Sequence, residues 1–169
     1  MRSSAVLSLA ILCALASAAH AVEVYRGRCH MQVCAFFAIQ EKSIIASHRD
    51  GALFRVTTAS YTTRRASDRA PPRKDWTTAD GYVHCSKTRP AVIFKAEGDW
   101  LAHVLAPAQE TGIAGYNLTS YVRYFAVCHA LGIAALDDQI LATGKRLGYG
   151  ESGARAEQLT LANPEDILK

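Results

Sequence analysis

From residue 34 to residue 95 the chain sets short apolar runs between polar turn clusters; from residue 99 onward its apolar residues recur at helical spacing. Cys34 to Gln40 (CAFFAIQ) is apolar and aromatic and predicts a strand, and Ser43 to His48 predicts a second one after Glu41-Lys42, a polar pair of hairpin length. Arg49-Asp50-Gly51 supplies the next turn, because Asp-Gly tolerates positive φ. Ala52 to Thr58 then alternates, with Leu53, Arg55 and Thr57 on one face and Ala52, Phe54, Val56 and Thr58 on the other. These segments predict an antiparallel meander rich in β-branched and aromatic residues. Val22 to Arg26 extends it as an edge strand. Gly81 to Ser86 and Ala91 to Lys95 predict a further hairpin that turns at Lys87 to Pro90.

Residues 59 to 79 interrupt this pattern. Thr, Ser and Arg alternate there and Pro71-Pro72 blocks both helix and sheet, which predicts a long exposed loop within one domain. Beyond residue 98 the period changes. Gly98-Asp99 reads as the cap of a helix with Trp100, Leu101, Val104 and Leu105 on one stripe and Pro107 after its end. The strongest helical stripe follows Asn117, a good N-cap: Leu118, Tyr121, Val122, Phe125 and Cys128, with Gly132 as the expected stop. Ala134 to Leu147 predicts another helix, weakened at its end by Gly144, and Asn163-Pro164-Glu165-Asp166 predicts a short terminal one. The expected fold is α+β: an antiparallel sheet of four to six strands from residues 22–95, packed by two to four helices from residues 99–169 and stapled by disulfides.

The first 21 residues change the meaning of the cysteines. Arg2 is a positive n-region, Ala5 to Ala16 an apolar run, and Ala19-His20-Ala21 an A-x-A cleavage site, together the pattern of a secretory signal peptide. The expectation is a single exported domain, residues 22–169, in the periplasm or outside the cell. The leader's apolar core is too short to span a bilayer, which takes about 20 residues. The later apolar stretch, Tyr121 to Leu136, carries Arg123 and His129, so no transmembrane segment is expected. Cys13 leaves with the leader, and Cys29, Cys34, Cys85 and Cys128 remain. An even number in an oxidising compartment predicts two disulfides. Three pairings are open on spacing alone; the favoured one joins Cys29 to Cys34 and Cys85 to Cys128.

Net charge is +4 and most of it is local: the eleven residues from Arg64 to Lys74 hold Arg64, Arg65, Arg69, Arg73 and Lys74 and one acid, Asp68. That distribution argues against a general pull towards nucleic acid and for an anion-gripping loop, flanked by Tyr61 and Trp76. Its expected targets are anionic lipid, a cell-wall polymer or an acidic protein, since arginine grips carboxylate and phosphate through paired hydrogen bonds.

Three histidines stand beside cysteines: His30 after Cys29, His84 before Cys85 and His129 after Cys128. Neutral imidazoles suit Zn²⁺ or Cu²⁺, which makes these three a candidate metal set. Against convergence, neighbours on a strand point to opposite faces, so His84 should face away from Cys85's partner. No cofactor is expected. GxSxG is absent, Gly144 to Gly153 misses the phosphate-loop pattern, and the adjacent pairs Asp137-Asp138 and Glu165-Asp166 do not face each other on a helix. Tyr61, Ser86 and Ser120 are hydroxyls without a sequence signature of activation. The preferred reading is therefore a small exported, non-catalytic binding or interaction module that contacts an anionic surface or partner through the basic loop. The alternatives are an envelope metal binder and a hydrolase of unrecognised type.

Overall fold

The computed structural model describes residues 22–63, 70, 72–110, 115–150 and 155–169. Seven antiparallel strands run in chain order across one curled sheet: β1 (Tyr25–His30), β2 (Val33–His48), β3 (Gly51–Thr62), β4 (Thr77–Ser86), β5 (Ala91–Ala96), β6 (Asp99–Val104) and β7 (Glu157–Leu161). Two α-helices stand among the described residues, α1 (Leu118–His129) and α2 (Asp137–Arg146). The leader, Arg64, Arg65 and Arg69 lie outside the described residues.

The alternation read along β3 sets the layers. Val56 and Phe54 pack towards α1 together with Val83, Val92, Tyr121, Tyr124 and Phe125. Leu53 points the other way, into a second cluster with Ala91, Ile93, Ala102, Val104 and Ile167. The second face is closed by a 3-10 turn over Pro164–Leu168, which carries Ile167 and opens on the Asn163/Asp166 capping box. The centre of the sheet is therefore buried on both sides.

That double burial corrects the predicted architecture. The sheet has seven strands, not four to six, and extends to residue 161. Residues 99–104 form strand β6, not a helix. Trp100, Ala102 and Val104 serve one face while His103 and Leu105 serve the other, so apolar residues on both sides of a strand imitate a helical stripe. Gly98 caps no helix: Glu97 (φ 52°) and Gly98 (φ 100°) make the tight β5–β6 hairpin turn, in which both central residues take positive φ. β7 is polar and half-exposed at the sheet edge and lacks any apolar run to announce it.

Glu41-Lys42 is no turn either. β2 passes through it with irregularities between Ile39 and Glu41 and between Ile44 and Ala46. Lys42 lies inside the pair and sends its Nζ to the Val127 carbonyl (2.9 Å), an orphan acceptor in the last turn of α1. α1 ends before Gly132, at Ala130, which adopts the left-handed conformation (φ 52°, ψ 38°). Asn117 holds the expected N-cap position, although its side chain does not cap.

Both disulfides are formed in the favoured pairing. Cys29 and Cys34 sit directly opposite each other across β1 and β2, with Cα atoms 4.0 Å apart. Cys85 at the end of β4 is bonded to Cys128 in the last turn of α1, with Cα atoms 5.5 Å apart. No helix among the described residues is long and apolar enough to cross a membrane.

Candidate functional site

The Cys85–Cys128 bond places the ends of β4 and α1 side by side, and an open cleft of about 350 Å³ lies against it. The β2–β3 turn (Arg49, Asp50, Gly51) forms one wall. Ser86 and Lys87 continue from Cys85, His129 follows Cys128, and Tyr124 and Tyr149 close the back.

A chain of hydrogen bonds organises this back wall, and its direction follows from its end. The Tyr124 hydroxyl donates to the Ser86 carbonyl (2.9 Å), which can only accept. Its single proton is thereby committed, so at the 2.7 Å contact between the two phenols Tyr149 is the donor. The proton of Tyr149 is then committed as well, and the 2.7 Å contact with His129 Nε2 requires an Nε2–H that donates to Tyr149. The neutral imidazole therefore carries its proton on Nε2 and a bare lone pair on Nδ1. No partner for Nδ1 stands among the described residues.

Burial sets the protonation states. Desolvation, with the Lys87 charge as a second cause, holds His129 below the usual imidazole range. Desolvation raises Tyr149 above the usual phenol value. It raises Tyr124 too, with the neighbouring Tyr149 adding to the effect. Near neutral pH the cleft thus has a neutral imidazole and two protonated phenols.

The charge lies on the rim. Lys87 donates to the Leu147 carbonyl and holds its Nζ 4.1 Å above the centre of the Tyr149 ring. Lys145 and Arg146 end α2 immediately before Leu147. Arg49 is 87% exposed at the mouth and pairs with Asp50 at 3.4 Å, a contact of little energetic weight at that exposure. Among the described residues Asp50 is the one acid lining the cleft, against Arg49 and Lys87.

The candidate residues of the basic loop are divided. Arg73 and Lys74 are exposed in a short 3-10 turn, and Arg73 Nη2 donates to the Val22 carbonyl (2.5 Å), so it is tied to the start of the described chain. Of the candidate metal set, His30 ends β1, His84 lies in β4 and His129 closes α1. His84 turns to the face opposite Cys85, is 4% exposed, and donates from Nδ1 to the Arg89 carbonyl (2.8 Å). Among the described residues no group of three or more His, Cys, Asp and Glu side chains is placed to hold a metal. Ser86 Oγ accepts from the Thr88 and Arg89 amides (both 3.1 Å), which is the work of a turn. Ser120 Oγ stands 2.9 Å from His103 Nδ1, with both side chains 9% exposed.

Sequence reading passed over Lys87, Arg49, Tyr124 and Tyr149. One signal was present. Pairing Cys85 with Cys128 brings their chain neighbours Lys87 and His129 to the same place. Tyr149 gave none, because it lies in a glycine-rich stretch that reads as a loop. Comparison with protein-family models, curated proteins and solved structures finds no match. The class of protein is therefore set by its architecture: a disulfide-stapled curled sheet with α1 packed across it and a basic-rimmed cleft where α1 ends.

Proposed function

We propose that this protein is an exported binding module that performs no chemistry of its own and holds an anionic ligand in the cleft beside the Cys85–Cys128 bond. The observation that carries this reading is the rim. Lys87 and Arg49 line the cleft, Lys145 and Arg146 end α2 just before Leu147, whose carbonyl binds Lys87, and among the described residues Asp50 is the one acid in the lining. The interior supports binding over catalysis, since both phenol protons are spent within the hydrogen-bond chain and that chain ends on a carbonyl, which passes no proton on. Two disulfides are compatible with an oxidising compartment, and export agrees with the leader pattern of residues 1–21.

The cleft takes the place of the basic loop as the seat of the anion, and one experiment compares them. Binding of anionic oligosaccharide and of phosphatidylglycerol vesicles is measured at low and high salt for three proteins: wild type, Arg49→Gln/Lys87→Gln, and a variant with Arg64, Arg65, Arg69, Arg73 and Lys74 changed to Gln. Binding that is salt-sensitive and lost only in the first variant supports the cleft. Loss confined to the second variant moves the seat to the loop, and absence of binding in wild type ends the proposal.

A further inference from the structure

We infer that the cleft selects a hydroxylated carboxylate, the chemistry of a uronic acid, over a plain carboxylate. This rests on the anionic-ligand reading and adds to it the identity of the second contact.

The Tyr124 and Tyr149 hydroxyls each donate once and accept once within the chain. Ser86 Oγ is taken up by the turn that follows it. The disulfide contributes an apolar wall. Arg49 and Asp50 pair with each other at the mouth, and what remains at the back wall is a cation, Lys87, and one acceptor, the Nδ1 lone pair of His129. Both are held against the same ring: the Lys87 ammonium is 4.1 Å above Tyr149, and the His129 and Tyr149 ring centres are 5.8 Å apart.

A complementary ligand carries a negative oxygen for Lys87 and, a few atoms away, a hydrogen-bond donor for Nδ1. A plain carboxylate satisfies the first and leaves Nδ1 to be desolvated without a partner, which is the unfavourable case for a polar atom. Sulfate, which carries no O–H, has the same defect. A sugar acid meets both needs, because its hydroxyls flank its carboxylate. A cleft of about 350 Å³ accommodates one pyranose ring, and its open mouth lets a chain continue outward. The tautomer is the selecting device. Had the Tyr124 proton pointed to Tyr149, His129 would present an N–H and favour the plain anion.

The test uses two acids of equal charge and similar ring size: glucuronate, and cyclohexanecarboxylate, which has no hydroxyls. Calorimetric titration of the purified protein at pH 7.5 is expected to show glucuronate binding several-fold to tenfold more tightly. In His129→Phe the gap closes, while Lys87→Gln weakens both acids together. Long-range ¹H–¹⁵N spectra of unmodified protein supply a check that does not depend on a variant folding. Nδ1 of His129 is expected at the position of an unprotonated ring nitrogen and moves on adding glucuronate but not cyclohexanecarboxylate. Equal affinity for the two acids, a gap that survives in His129→Phe, or a proton found on Nδ1 overturns the inference while leaving anion binding intact. Failure of both acids to bind removes the anionic reading with it. An oligoglucuronate arm separates sources: affinity that rises with chain length assigns a wall polymer, and constant affinity per unit assigns the free sugar acid, both within the inferred class.

Discussion

Tyr124→Phe removes one oxygen from the centre of the cleft's hydrogen-bond chain, and its consequences can be worked out atom by atom. Tyr124 is 1% exposed, so nothing from solvent replaces that oxygen without rearrangement. Two bonds are lost. The Ser86 carbonyl, 2.9 Å away, loses its donor, and the Tyr149 proton, 2.7 Å away, loses its acceptor. A typical internal hydrogen bond contributes about 1 kcal/mol, and a buried group left without a partner costs about 1–3 kcal/mol. The expected destabilisation is about 2–4 kcal/mol. Tyr149→Phe also breaks two bonds but strands less. His129 is only partly buried, so its Nε2–H can turn to water, and Tyr124 keeps its bond to Ser86. The expected cost there is about 1–2 kcal/mol. The double variant should fall short of the sum of the two by about 1 kcal/mol, the size of one shared bond. Urea unfolding with the disulfides intact measures all three, with equal m-values as the condition for comparison. A Tyr149→Phe loss equal to or greater than that of Tyr124→Phe would refute the direction assigned to the chain, and with it the bare Nδ1 of His129.

Four further outcomes are expected. Ala130→Gly should stabilise by about 1 kcal/mol, because Ala130 ends α1 at φ 52°, where a Cβ is costly; calorimetry would show it as a higher midpoint, and a lower one would contradict the assigned cap. Gly144→Ala should destabilise severely, by more than about 3 kcal/mol, since the added Cβ would lie 2.1 Å from the Pro107 carbonyl oxygen; a midpoint in urea close to wild type would show that α2 does not pack there. Cys85→Ser/Cys128→Ser opens a loop of sequence separation 43 and should cost about 4 kcal/mol in the chain-entropy model, read as a lower thermal midpoint together with loss of ligand binding; an unchanged midpoint would deny the bond a structural part. His84, His103 and His129 are all held below the ordinary imidazole value, chiefly by desolvation. The unfolded chain therefore binds protons that the fold refuses. Stability is full above the unfolded value of about 6.5 and falls as pH drops below it; a urea midpoint that rises between pH 7 and pH 5.5 would contradict this.

The period-2 pattern of Ala52 to Thr58 announced the middle of β3, which runs on to Thr62 inside the stretch expected to be loop, and the stripe from Leu118 to Cys128 announced α1, because in both the apolar positions report the packed face directly. The even number of cysteines predicted two disulfides and left three pairings open; the favoured one is the pairing that formed. Tertiary structure decided the rest. Residues 99–104 are apolar on both faces because one face meets the helix layer and the other the terminal 3-10 turn, and no local period separates such a strand from a helix. Lys42 reads as a turn residue until the end of α1 is in place to accept its proton. The cleft was hidden for the same reason: Arg49, Lys87, His129 and Tyr149 are far apart in the chain, and only the curl of the sheet, locked by Cys85–Cys128, brings them to one mouth. Local sequence encodes which residues are buried and how often, whereas a site is a meeting of distant residues, and that meeting exists only once the layers have packed.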